Sequence, residues 1–192
     1  MFKGRAAQFD ASFPTEQQFP RQITIEFIDD GSKLELFADG VRAGDALTDN
    51  AYEDDGYRYH DAFHIAYMVV LGWSPVMRSL LKRKRKADPE VDEVEDGARA
   101  RALEEGISIM VFSQSQPDAE GPSLFTDRAQ IPFWLLESIK KMTPSLEVSV
   151  RNVNEWRRAI AAGYAVFDQL RKHRGGCVDC NLETRTLAFR PL

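Results

Sequence analysis

The sequence predicts a mainly α protein, a helical bundle carrying a small antiparallel β-sheet formed by N-terminal strands and a C-terminal hairpin. Three observations lead there. Apolar residues alternate with polar ones only near the two ends, across residues 22–45 and 176–190. Between residues 55 and 174 they recur at helical spacing, with Pro at helix starts and Gly at helix ends. No internal repeat or shift of composition divides the 192 residues, so one domain is expected.

The elements follow in order. Residues 1–20, punctuated by Gln, Phe and Pro without periodicity, read as a loosely ordered lead-in. From Gln22 to Asp29, the residues Ile23, Ile25 and Phe27 alternate with Thr24, Glu26 and Ile28, as in a half-buried strand. Asp29-Asp30-Gly31-Ser32 is a turn, and Leu34, Leu36 and Ala38 continue the alternation on a second strand. After Asp39-Gly40, Val41-Arg42-Ala43 offers a short third strand. Asp61 to Leu71 reads as an apolar helix closed by Gly72, and Ser74-Pro75 restarts a second helix through about Lys84. Asp88-Pro89 opens a third helix to roughly Phe112, with Ala100, Leu103, Ile107, Met110 and Val111 on one face. Gln116 to Gln130 reads as a loop and Pro132 to Met142 as a short helix. Asn152 or Asn154 caps a last helix through about His173, which Gly175-Gly176 ends. Residues 177–189 then form a hairpin turning near Glu183-Thr184. Neither hairpin is stable alone in water, so the two chain ends are expected to meet in one sheet.

Composition narrows the function classes. Hydrophobic residues at 43% and charged residues at 29% describe a globular chain. Lys+Arg at 25 against Asp+Glu at 30 leaves a net charge of −5, whereas a general nucleic-acid binder is usually basic, so nucleic acid is not an expected partner. Apolar runs such as Ile65 to Leu71 are too short to span a bilayer. Met1 to Gln8 holds no apolar stretch of signal-peptide length, so the expectation is no membrane and a cytoplasmic location. The two cysteines, Cys177 and Cys180, have the spacing of a redox pair or half a zinc site. In a strand they point to opposite faces and only His173 is near enough to help, so two reduced thiols are expected.

Three polar clusters carry candidate chemistry. His60, Asp61 and His64 open the first helix at spacings that share one face, so all three can converge on one ion or substrate. The alternative is a locally hydrogen-bonded His60 and a satisfied, semi-buried His64. On the third helix, Asp92, Glu93, Glu95 and Asp96 suit a helix N-terminus. Glu104 falls on the apolar strip with Asp96, Ala100 and Ile107, and Glu105 lies nearer the edge. Two adjacent carboxylates there need a cation or a donor. Lys82 to Lys86 is a run of five cations, able to bind phosphate or to pair with Asp88, Glu90, Asp92 and Glu93.

Taken together, Tyr57-Arg-Tyr-His-Asp-Ala-Phe-His, Leu71-Gly-Trp-Ser-Pro, Leu81-Lys-Arg-Lys-Arg-Lys, Val91-Asp-Glu-Val-Glu-Asp-Gly-Ala-Arg-Ala and Glu104-Glu-Gly-Ile-Ser resemble the MazG C-terminal-like nucleotide pyrophosphohydrolase domain. The resemblance runs from about Ile23 to Phe189. It implies membership of the all-α nucleoside triphosphate pyrophosphohydrolases, which use Mg²⁺ to yield a monophosphate and pyrophosphate and commonly form dimers or tetramers. Their metal motif, Glu-Glu-x-x-Glu followed on the next helix by Glu-x-x-Asp, appears here as His60-Asp61-x-x-His64. Glu93-x-x-Asp96 fits the letters of the second half, while Glu104 and Glu105 fit its position. The resemblance thus implies a divalent metal, Mg²⁺ or Mn²⁺, held by His60, Asp61, His64, Asp96 and Glu104, with Asp61, Glu104 and Glu105 catalytic. The two imidazoles admit a softer ion. Lys82, Lys84 and Arg85 are the expected contacts to the phosphates, Tyr57 and Tyr59 to the base, and a homodimer or higher oligomer is the expected assembly. An HD-type phosphohydrolase needs a histidine upstream, and none occurs before His60. A non-catalytic nucleotide-sensing or protein-interaction module of the same fold is the alternative.

Overall fold

A computed structural model describes residues 8–114 and 122–192. Its sheet has strands β1 (Gln22–Asp29), β2 (Leu34–Ala38), β3 (Val41–Arg42), β4 (Gly175–Asn181) and β5 (Thr186–Arg190), in the order β3-β2-β1-β4-β5 with every pairing antiparallel. Its helices are α1 (Asp61–Ala66), α2 (Pro75–Leu80), α3 (Pro89–Val94), α4 (Ala98–Gln114), α5 (Phe133–Met142) and α6 (Val153–His173). Among the described residues no helix is long and apolar enough to cross a membrane.

The fold class expected from the sequence, a helical bundle with a small sheet, is corrected here. Helices and a five-stranded antiparallel sheet are mixed around one core, which runs from Ile25, Phe27 and Val178 of the sheet to Phe63, Leu136 and Phe167 of the helices. β1 is central: Ile25 faces Ala38 of β2 on one side and Val178 of β4 on the other. Turn chemistry sets the two hairpin registers. The Asp30 carboxylate accepts the backbone N–H groups of Ser32 and Lys33, and the Asn181 side chain accepts those of Glu183 and Thr184. The β1–β4 ladder joins segments some 150 residues apart, and no local pattern measures how large such a sheet becomes.

Several elements depart from the sequence pattern for identifiable reasons. The expected third helix is two. It breaks at Glu95–Gly97, where Asp96 turns inward and a Cβ at Gly97 would sit 1.8 Å from the Glu93 carbonyl oxygen. α2 stops at Leu80, and Lys82 adopts a left-handed φ of 55°, so the cationic run is a turn rather than a helix. α1 continues into a π-helical turn, Tyr67–Leu71, closed by Gly72 at φ 71°. The lead-in is ordered from residue 8: Asp10 and Phe19 are buried, and Asp10 accepts from the Phe19 N–H at 2.7 Å and from Arg78 at 3.1 Å. Residues 1–7 of that lead-in, and residues 115–121 of the expected loop, lie outside the described residues.

α6 begins with a capping box, Asn152 with Glu155, and crosses α1 closely because it carries Gly163 at the contact. A Cβ there would lie 2.8 Å from the Phe63 ring. Gly163→Val is therefore expected to lower unfolding stability by about 1–3 kcal/mol through overpacking, measured by urea denaturation; an unchanged midpoint would contradict this packing.

Candidate metal centre

The Ser74 cap and α4 together position the polar residues at the start of α1. His60 precedes α1 and His64 lies one turn further on, so the rings meet edge to face with centroids 5.5 Å apart. His60 stacks on the Tyr57 ring at 4.3 Å, and its Nδ1–H donates to the Tyr57 carbonyl at 2.8 Å. A carbonyl can only accept, so Nδ1 holds the proton of a neutral His60 and Nε2 holds a lone pair.

α4 brings two consecutive glutamates to these rings with different surroundings. The Glu104 side chain is fully buried. Its Oε1 accepts from His64 Nδ1 at 2.9 Å and from the Ser74 hydroxyl at 2.6 Å, and its Oε2 accepts from the Val76 N–H at 2.8 Å. The Glu105 side chain keeps 40% of its surface. Its Oε2 lies 3.2 Å from His64 Nε2 and 3.8 Å from His60 Nε2. Ligand atoms of His60, His64 and Glu105 lie within 4.8 Å of one another, the one such group among the described residues. Asp61 Oδ1 stands 3.9 Å from His60 Nε2.

The charges are coupled. Burial opposes a positive His64, but Glu104 and Glu105 override it and hold its pKa well above the usual imidazole range. Burial likewise opposes charge on Glu105, and the His64 hydrogen bond outweighs it and draws the carboxyl below its ordinary value. The Tyr57 hydroxyl is pushed up by burial, then by Glu105 and Asp61, so it stays protonated beside the cluster.

The residues expected at the site separate into two groups. His60, Asp61, His64, Glu104 and Glu105 come together. Asp96 and Arg85 do not join them and instead hold each other: Asp96 accepts from the Arg85 backbone N–H and guanidinium at 2.7–3.1 Å. Arg85 also grips Glu147 through two bonds of 2.8 Å. This corrects Asp96 as a metal ligand and Arg85 as a phosphate contact, because both charges are buried and already matched. Lys84 is paired with Asp92 at 2.7 Å, as the alternative reading of the cation run expects. Lys82 is exposed and lines a cavity of about 400 Å³ with Ser79, Lys84 and Lys86. Tyr59 is buried with its hydroxyl donating to Asp29, which corrects it as a base-stacking residue. Glu104 has its oxygens engaged by protein donors, so its place is behind the ring of His64 rather than on an ion. Sequence reasoning did not assign Ser74 or the Val76 N–H to the site; the Ser-Pro helix start was their only signal. Cys177 and Cys180 are free and buried, and burial, with Asp179 and Asp39, pushes the Cys180 thiol up to about 12.

The fold mixes α and β elements, and two imidazoles and a carboxylate converge between its helices. The family model of the MazG C-terminal domain matches residues 4–192, and the chain belongs to that family. No curated protein and no solved structure matches it.

Asp96→Asn removes the carboxylate that Arg85 and Arg78 share, leaving Glu147 and Asp10 as their remaining partners, and is expected to cost about 3–5 kcal/mol in a denaturant titration, a loss typical of a broken buried ion pair. Next to it, Glu95 is pushed from 4.5 up to about 7 by burial and then by Glu147. The folded protein therefore holds a proton that the unfolded chain releases near 4.5, and stability falls as pH rises through about 7. Glu95→Gln should flatten the melting temperature across that window; an unaltered pH profile would contradict the assignment.

Proposed function

We propose that this protein is a metal-dependent nucleotide pyrophosphohydrolase, converting a nucleoside triphosphate to the monophosphate and pyrophosphate. The convergence of His60, His64 and Glu105 in a chain of the MazG C-terminal domain family carries the reading. The donor set fits a cation. Two imidazole nitrogens and a carboxylate oxygen face one point, and the partly exposed Glu105 gives that point access to solvent.

A divalent cation bound there supplies neutralisation of phosphate charge and a lower pKa for water. The chain's own residues do the rest. Glu104 fixes the His64 ring through Nδ1, and Ser74 and the Val76 N–H fix Glu104. Asp61, beside His60 Nε2, is the carboxylate placed to take a proton from the attacking water. Tyr57 closes the face of His60 with a ring that can also border a base. Lys82 and Lys86 are the exposed cations of the run and the candidates for balancing phosphate charge.

One observation favours the non-catalytic alternative: both nitrogens of His64 already meet carboxylates, as in a structural ion pair. Incubation with a panel of ribo- and deoxyribonucleoside triphosphates and divalent ions separates the readings. Pyrophosphate release is expected. Asp61→Ala should lower it by roughly 10²–10⁴-fold, the span of a lost general base. Nucleotide binding without release under any ion would overturn the hydrolase.

A further inference from the structure

The geometry points to a two-histidine, one-carboxylate centre formed by His60, His64 and Glu105 that takes a first-row transition ion in preference to Mg²⁺. It rests on reading this cluster as the metal centre of the proposed hydrolase, and names the ion class that centre selects.

The argument begins behind the ligands. Each imidazole has its Nδ1 committed to an acceptor that cannot donate: His60 to the Tyr57 carbonyl at 2.8 Å, His64 to the Glu104 carboxylate at 2.9 Å. The acceptors differ in kind but have one consequence. Both rings are turned so that Nε2 faces Glu105 Oε2, at 3.8 and 3.2 Å. A backbone carbonyl or a carboxylate behind a ligating histidine is the usual means by which proteins fix ring orientation and strengthen the donor. Here the supports are themselves held. Stacking on Tyr57 fixes the plane of His60, and Ser74 with the Val76 N–H fixes Glu104. A cation takes the place of the proton that His64 Nε2 shares with Glu105, so the three donors need little rearrangement.

The donor types then choose the ion. Mg²⁺ is hard, prefers oxygen and gives up water reluctantly. Two neutral imidazoles with one carboxylate suit Mn²⁺, Fe²⁺, Co²⁺, Ni²⁺ or Zn²⁺. Of the two further carboxylates nearby, Glu104 is withdrawn behind His64 with both oxygens engaged, and Asp61 reaches the cluster only at 3.9 Å from His60 Nε2.

Isothermal titration of the purified full chain with Co²⁺ alone and with Mg²⁺ alone, alongside the visible absorption of bound Co²⁺, tests this. One Co²⁺ per chain is expected. It should bind clearly more tightly than Mg²⁺, as imidazole donors favour a first-row transition ion over a hard one. His60→Ala and Glu105→Gln should each weaken Co²⁺ by at least the roughly 10–100-fold that even an outer-shell change costs and change its spectrum, while circular dichroism shows each variant still folded at the assay temperature. Equal affinity for Mg²⁺ and Co²⁺, or Co²⁺ binding untouched by His60→Ala, overturns the proposal. Tight Co²⁺ binding without pyrophosphate release keeps the centre and removes the hydrolase. Pyrophosphate release with Mg²⁺ and no preference for Co²⁺ does the reverse.

Discussion

A carboxylate with no exposed surface can persist only where its oxygens are met by donors, and Glu104 is such a group. Its donors come from separate segments: a ring nitrogen of α1, the hydroxyl that caps α2, and a backbone N–H of the first turn of α2. Satisfying one side chain therefore sets the mutual placement of three helices. The same hydroxyl also accepts the Met77 N–H, so the Ser74 cap serves both the start of α2 and the burial of Glu104. With Glu104 anchored, the next residue along α4 is carried about 100° round the helix axis to the edge, where Glu105 meets the outer nitrogens of both rings. The separation of an orienting carboxylate from a ligand-type carboxylate is thus a consequence of helix geometry at two adjacent positions.

A second buried charge system does unrelated work nearby. Arg85 and Arg78 are neutralised by Asp96, Asp10 and Glu147, which ties the ordered lead-in and the Glu147 turn to the break between α3 and α4. Phe19 lies against the Arg78 guanidinium at 3.8 Å and completes the cover. A stretch that reads in the sequence as an acidic helix beside a basic run is partly converted into an internal lock. Its exposed remainder, Lys82 and Lys86, keeps the charge character that the sequence suggests.

The sheet matters to the site through α6. That helix packs on α1 at Phe63 and on β4, so the pairing of β4 with β1 fixes the platform against which α1 rests. Tyr164 and Phe167 of α6 contact the Phe63 ring, one residue before His64. The polar face of α1 can be held at the α4 side because its apolar face is clamped at the α6 side.

Much of this is local and legible in one dimension. Period-two alternation locates β1 and β2, Ser74-Pro75 and Asp88-Pro89 mark helix starts, and the four-residue spacing of His60 and His64 puts them on one face whatever the fold. The apolar strip of α4 also assigns Glu104 inward and Glu105 outward. What could not be read is who meets whom. Asp96, in the break before α4, and Glu104, within α4, are both inward acids, yet one is consumed by Arg85 and the other orients an imidazole. Tyr57 and Tyr59 stand two residues apart, yet one stacks on His60 and the other bonds to Asp29. The extent of the sheet and the break at Gly97 have the same origin. Backbone periodicity is a property of neighbours along the chain, whereas the partner of a buried charge is chosen by whichever distant segment brings the matching donor into a dry interior, where an unmatched group is too unstable to persist.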